Sequence, residues 1–183
     1  MILASASPRR QELLAREGIA FTVDPSDIDE SRQRGESPRA LVERLATEKA
    51  QACAERHPLT DEVILAADTI VWRGDVIFGK PANDEKAIRM LESLSGATHH
   101  VTTGVALISP TASTFFAVTS DVTFRDLTDD EIRAYVATGE CADKAGAYAI
   151  QGGAAGFVEE LKGDYDNVVG LPVKRVLDEL EKL

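Results

Sequence analysis

Apolar positions along the chain follow two rhythms, and each predicts its own kind of element. Continuous apolar runs at Met1–Ala4 and Val63–Ala67 predict short buried strands. Val101–Ile108 and Thr114–Phe124 predict longer strands on either side of a Ser109-Pro110 turn. Thr69–Trp72 and Val76–Phe78 flank Arg73-Gly74-Asp75 as a hairpin, and Val158–Leu161 adds a last strand. Between these runs the apolar residues recur at helical spacing. Ser7-Pro8 opens a helix that carries Leu13 and Leu14 and stops at Gly18, with Ser7 as cap and Pro8 at the first helical position. Ser37-Pro38 repeats that start for a longer helix ending before Pro58. Asn83 caps a helix through Leu94, closed by Ser95-Gly96, and Thr128 with Glu131 forms a capping box for one ending near Gly139. Pro172 opens a final helix with Val173, Val176, Leu177 and Leu180 on one face. Strands alternating with helices predict a mixed α/β fold.

At 183 residues the chain is one domain, residues 1–183, with room for two lobes around a cleft. Apolar residues at 44% and charged residues at 28% match a globular composition and exclude a disordered one. A net charge of −11 argues against a nucleic-acid polymer or an anionic membrane as partner. It leaves room for a small phosphate ligand held by local Arg and Lys. No apolar run is long enough to span a bilayer, and no charged flank precedes an apolar leader. Cys53 and Cys141 have no metal-finger or redox spacing. The expectation is a soluble, reduced, cytoplasmic protein.

Several residues stand out chemically. Arg9 and Arg10 occupy a first helical turn, where the helix dipole disfavours cations. Either an anion binds there, using Ser5, Ser7, the two guanidiniums and free backbone N–H groups, or the arginines pair with nearby acids at a solvated helix start. Lys49 falls inside the apolar stripe of Leu41, Val42, Leu45, Ala46 and Ala52. Snorkelling to solvent is the commoner outcome for such a lysine, and an ammonium aimed into a polar cleft is the other. Asp68 ends the run Val63–Ala67 and precedes Thr69-Ile70-Val71, so a buried carboxylate needing a cation, a metal or donors is expected. The plain alternative is an aspartate capping a turn. Lys80, between Gly79 and Pro81, sits in a stiff loop that suits a phosphate contact or an exposed turn. Asp27, Asp29 and Glu30 form an acidic loop able to supply a metal carboxylate, although most such runs are only solvated. His99 and His100 point to opposite faces of a strand and cannot chelate together. The Gly/Ala-rich stretch from Gly146 to Gly156 implies a close approach to something. Together these features describe a phosphate-handling cleft, with magnesium-type chemistry on a phosphoanhydride.

The same segments resemble the Maf proteins, a family of nucleoside triphosphate pyrophosphatases once named for septum formation inhibition. The resemblance runs almost end to end. It rests on Leu3-Ala4-Ser5-Ala6-Ser7-Pro8-Arg9-Arg10, Asp29-Glu30, Glu48-Lys49-Ala50, Ala67-Asp68-Thr69-Ile70-Val71 and Gly79-Lys80-Pro81. It continues through the run from Asp143 to Gly152, Gly163-Asp164-Tyr165 and the run from Asn167 to Pro172. The resemblance implies a Maf/inosine-triphosphatase-like mixed sheet with helices, two lobes around a central nucleotide cleft, and hydrolysis of a nucleoside triphosphate to the monophosphate and pyrophosphate. It implies a divalent cation, Mg2+ or Mn2+. It puts the catalytic proton acceptor on Asp68, phosphate contacts on Ser5, Arg10, Lys49 and Lys80, and metal ligation on Glu30 with Asp68. Members acting on dTTP and UTP carry an arginine, a threonine and a glutamine at specificity positions, which fall on Arg9, Thr69 and Gln151. The 7-methyl-GTP branch has tryptophan after the proline and glutamine after the catalytic aspartate, and this sequence has neither. A homodimer is common in the family and is the commonest soluble assembly. One rival reading is a nucleotide-sensing regulator of cell division without significant turnover, which would have no need of Asp68. A second is a pyrophosphatase whose main targets are modified nucleotides, with canonical pyrimidines as secondary substrates.

Overall fold

The structure, a computed structural model, describes residues 1–58 and 61–183. In chain order the elements are β1 (Ile2–Leu3), α1 (Pro8–Arg16), β2 (Thr22–Val23), α2 (Pro38–Arg56), β3 (Ile64–Arg73), β4 (Val76–Phe78) and α3 (Asp84–Leu94). They continue as β5 (Thr98–Ile108), β6 (Ser113–Phe124), α4 (Asp129–Val136), β7 (Val158–Lys162), α5 (Tyr165–Val169) and α6 (Val173–Leu180). The mixed α/β class is as expected. The seven strands form one sheet in the order β2-β1-β3-β5-β6-β7, with β4 paired to β3. β1 runs parallel to β2 and β3, whereas β3–β4 and β6–β7 are antiparallel. No helix among the described residues is long and apolar enough to cross a membrane.

The chain divides into two compact units. The first comprises residues 1–69, 103–118 and 170–183, the second residues 70–102 and 119–169. In the first unit, β1 and β3 pair with Leu3 opposite Leu65, closed by Ile2 N–H to Val63 O at 2.9 Å and Ala4 N–H to Leu65 O at 2.8 Å. One face of this pair packs Ile2, Ala4, Ile64 and Ala66 against Ala46, Ala50 and Cys53 of α2. Small residues on α2 bring its axis close to the sheet. Gly104 of β5 completes the approach, because a Cβ there would meet the Val42 carbonyl oxygen at 2.7 Å. Each fully buried Leu or Ile in this core contributes about 1.5–3 kcal/mol.

The caps behave as the sequence predicts at three helices. Ser37 accepts from Ala40 N–H, Asn83 from Lys86 N–H, and Thr128 with Glu131 makes both halves of a capping box. At α1 the expected Ser7 side-chain cap is missing, and Ser5 Oγ instead accepts from Ser7 N–H at 3.3 Å. The hairpin expected after residue 69 is the tail of one continuous strand, β3, folded onto β4. Two elements were not foreseen, β2 and α5.

In the second unit, the glycine-rich stretch forms two short 3-10 turns, Ala145–Ala147 and Gly153–Phe157. What it approaches is the chain itself. A Cβ on Gly152 would meet Glu140 Oε1 at 1.8 Å, and the Glu140 carboxylate accepts from Gly153 N–H at 2.9 Å. The two histidines of β5 do point apart. His100 stacks on Trp72 and bonds Asp121, while His99 is wholly buried between Phe124 and Tyr148, its Nε2 at 2.8 Å from the Tyr148 hydroxyl.

Burial pulls the His99 imidazole down to about 4, helped by the neighbouring His100. The unfolded chain therefore takes up this proton near pH 6.5 and the native chain only near pH 4. His99 stabilises the fold above pH 6.5, and that contribution, about 3 kcal/mol, is lost as pH falls towards 4. Urea midpoints at pH 7 and pH 5 are expected to differ less in His99→Leu, which cannot titrate, than in the native chain.

Candidate active site

Asp68 and Thr69 are adjacent in β3 and so face opposite sides of the sheet. Asp68 shares the face of Ile64 and Ala66, under α2. Only 8% of it is exposed, and its partner is Lys49, whose ammonium donates to Asp68 Oδ1 at 2.7 Å. Lys49 lies on the same helical stripe as Ala46 and Cys53. It does not snorkel to solvent. At 8% exposure its ammonium stays inside, and Glu30 Oε1 meets it at 2.6 Å. A buried ammonium between two carboxylates is stable because the pair offsets its desolvation.

Glu30 is exposed, yet its loop is pinned to α2 along its length. At the near end, Arg56 and His57 both hold the Asp24 carboxylate, at 2.8 Å each. In the middle, Ser26 Oγ donates to Lys49 O at 2.7 Å. Beyond Glu30, Arg44 bonds Ser31 O at 3.0 Å and the Glu36 carboxylate through Nε at 2.7 Å. The Glu36 carboxylate pushes the Arg44 guanidinium up, and that guanidinium holds the Glu36 carboxyl low. These anchors carry no motif and no unusual spacing, so sequence reasoning missed them.

On the opposite face stands Arg10. Its Nε donates to Gly170 O at 2.8 Å, Nη1 to Ser5 Oγ at 3.0 Å and to Ala67 O at 2.8 Å, and Nη2 to Thr69 Oγ1 at 3.0 Å. Burial lowers its pKa, and the Asp68 charge partly restores it. Gly170 presents its carbonyl from φ +138°, a conformation that strains any L side chain. Thr69 Oγ1 also contacts Thr103 Oγ1 at 2.9 Å, a partner the sequence did not suggest. Helix α1 begins with neither a side-chain cap nor an acid in its first turn. Among the described residues, neither arginine there forms an ion pair with an acid. Arg10 is satisfied by carbonyls and hydroxyls, and Arg9 is half-buried beside it.

Six of the expected residues are thus drawn into two linked groups in the first unit, Ser5, Arg10 and Thr69 on one side and Glu30, Lys49 and Asp68 on the other. Lys80 and Gln151 belong to the second unit, and both are exposed. Their loops are joined there by Gly146 N–H to Gly79 O at 3.2 Å.

Hydroxyls and cations gathered just beyond β1 and midway along β3, around one buried acid, form an α/β site suited to a polyanion. The family model described as Maf-like protein matches residues 1–183, and the chain belongs to the Maf family. A protein of Geobacillus sp. (strain WCH70), named dTTP/UTP pyrophosphatase, is 48% identical over 183 residues, covering 100% of this chain and 97% of its own. One of the same name from Moorella thermoacetica is 53% identical over 180 residues, covering 96% of this chain and 91% of its own. Among solved structures, a nucleoside-triphosphatase / dITP/XTP pyrophosphatase from Mycobacterium abscessus is similar at a TM-score of 0.43 and 15% identity, over 69% of this chain and 74% of that one.

Proposed function

We propose that this chain hydrolyses dTTP and UTP to the monophosphate and pyrophosphate, with residues 1–183 acting as one catalytic domain. The observation that carries the reading is the buried Lys49–Asp68 pair, met from the surface by Glu30, which sets a carboxylate and an ammonium together inside an α/β site. Asp68 accepts the proton of the attacking water. Its Oδ1 is held by Lys49, which fixes the direction in which the carboxylate is aimed. Lys49 and Lys80 neutralise charge on the phosphates, and Arg10 adds its charge while fixing Ser5 and Thr69. Arg9, Thr69 and Gln151 select the base. The Gln151 amide both donates and accepts, which matches the O4/N3 edge of thymine or uracil.

Two hard carboxylate oxygens, Glu30 Oε1 and Asp68 Oδ1, converge on one positive group within 2.7 Å, a donor set that fits Mg2+ or Mn2+. When bound, the cation supplies charge neutralisation at the phosphate oxygens. The test is pyrophosphate release from dTTP, UTP, CTP, GTP and 7-methyl-GTP with either cation. Selective release from dTTP and UTP is expected. Preference for 7-methyl-GTP would overturn the roles of Arg9, Thr69 and Gln151, and binding without release from any nucleotide would overturn the enzyme.

A further inference from the structure

Cys53 and His57 stand four residues apart at the end of α2, on one face of the helix. Asp24, just after β2, reaches between them. Its Oδ2 lies 2.8 Å from His57 Nε2 and 3.9 Å from Cys53 Sγ, and the three ligand atoms fall within 4.8 Å of one another. We propose that Asp24, Cys53 and His57 form a second cation site, one that takes a thiophilic divalent ion of the zinc type.

Sulfur, imidazole nitrogen and carboxylate oxygen together are a zinc set, with a water in the fourth position. The hard-oxygen pair Glu30 and Asp68 offers nothing to compare with the thiol. The pocket floor is closed, because Cys53 is wholly buried, while the Asp24 and His57 side chains are 33% and 36% exposed and give the ion its way in. A nucleophilic or redox role fits poorly. The imidazole bonds the carboxylate rather than the thiol, and burial with the Asp24 charge holds the thiol above its ordinary range. Loading balances simply. The Cys53 proton leaves to solvent as the sulfur–metal bond forms, and His57 carries its proton on Nδ1 while Nε2 ligates.

Arg56 is the group that opposes a cation here, with Nη2 2.8 Å and Nε 3.0 Å from Asp24 Oδ2. It is also tied to Ala52 O and Pro25 O, so it stays in place. Arg56 and His57 meet the same oxygen, Oδ2, so on loading the carboxylate turns about its Cβ–Cγ bond to give one oxygen to the ion and leave the other to Arg56 as an orienting partner. The bound ion clamps the start of the loop that carries Glu30, one helical turn below Lys49.

The experiment is a Co2+ titration of the full chain, read by the thiolate-to-cobalt charge-transfer band, with Zn2+ as competitor. A stoichiometric band displaced by Zn2+ is expected. It persists in Cys141→Ala and Asp68→Asn, disappears in Cys53→Ala, and needs at least about tenfold more Co2+ in His57→Ala. His57 is partly exposed, so that variant folds even if the core substitution at Cys53 does not. Arg56→Gln binds more tightly. Absence of the band, or a band unchanged in His57→Ala, would overturn the site. None of these readouts depends on nucleotide hydrolysis, so they stand or fall apart from the proposed reaction.

Discussion

Asp68→Asn is expected to lower pyrophosphate release from dTTP and UTP by at least about a hundredfold, with the fold intact. The amide has the carboxylate's shape, and its oxygen still accepts from Lys49 Nζ where Oδ1 does now at 2.7 Å. Lys49 also keeps Glu30, at 2.6 Å, so its charge is not stranded. What the substitution removes is the negative charge and the basicity. The loss therefore falls on kcat, with KM changed far less, because proton transfer from water is felt in the transition state rather than in substrate binding. Initial rates and thermal unfolding of the same preparation check both halves. Near-normal kcat in a folded Asp68→Asn chain would remove Asp68 from the role of base.

Arg10→Met is expected to damage both stability and turnover. It deletes the guanidinium's bonds to Gly170 O, Ala67 O, Ser5 Oγ and Thr69 Oγ1 in one step, leaving Gly170 O only the longer contact from Thr69 Oγ1 at 3.3 Å. A buried acceptor left without a donor costs about 1–3 kcal/mol, and since these neighbours share one donor their losses do not add fully. A fall of about 2–4 kcal/mol in unfolding free energy follows, a large share of the roughly 5–15 kcal/mol a domain holds. Arg10→Lys should not rescue it, because one ammonium cannot reach acceptors spread around a planar fork. Urea unfolding of both variants is the measurement. Native-like stability in Arg10→Lys would mean that the charge alone matters there.

Much of this is legible in the sequence. Ser37, Asn83 and the Thr128–Glu131 box mark their helices because capping is local chemistry, settled within three residues. Asp68 was legible for a related reason, since a carboxylate closing an unbroken apolar run has to be buried. Lys49 was harder. Its partner lies nineteen positions away, and only the seating of α2 on β3 decides between solvent and site. Arg10 showed as an anomaly in a first helical turn, but nothing local says that a carbonyl 160 residues away completes its shell. Thr22–Val23 is too short and too exposed to leave a pattern. Helix α5 did leave one, as Asp164 Oδ1 accepts from Asp166 N–H and Asn167 N–H, and that cap was there to be read.

The bond from Arg10 to Gly170 also has a meaning in time. A ribosome releases residues 1–69, with Ser5, Arg10, Lys49, Asp68 and Thr69 among them, long before Gly170. Until that glycine emerges, Arg10 Nε lacks its carbonyl, and the nascent chain carries the residues of the site without the finished arrangement. Activity should therefore switch on late and abruptly during synthesis, when the segment beginning at Gly170 docks back onto Arg10.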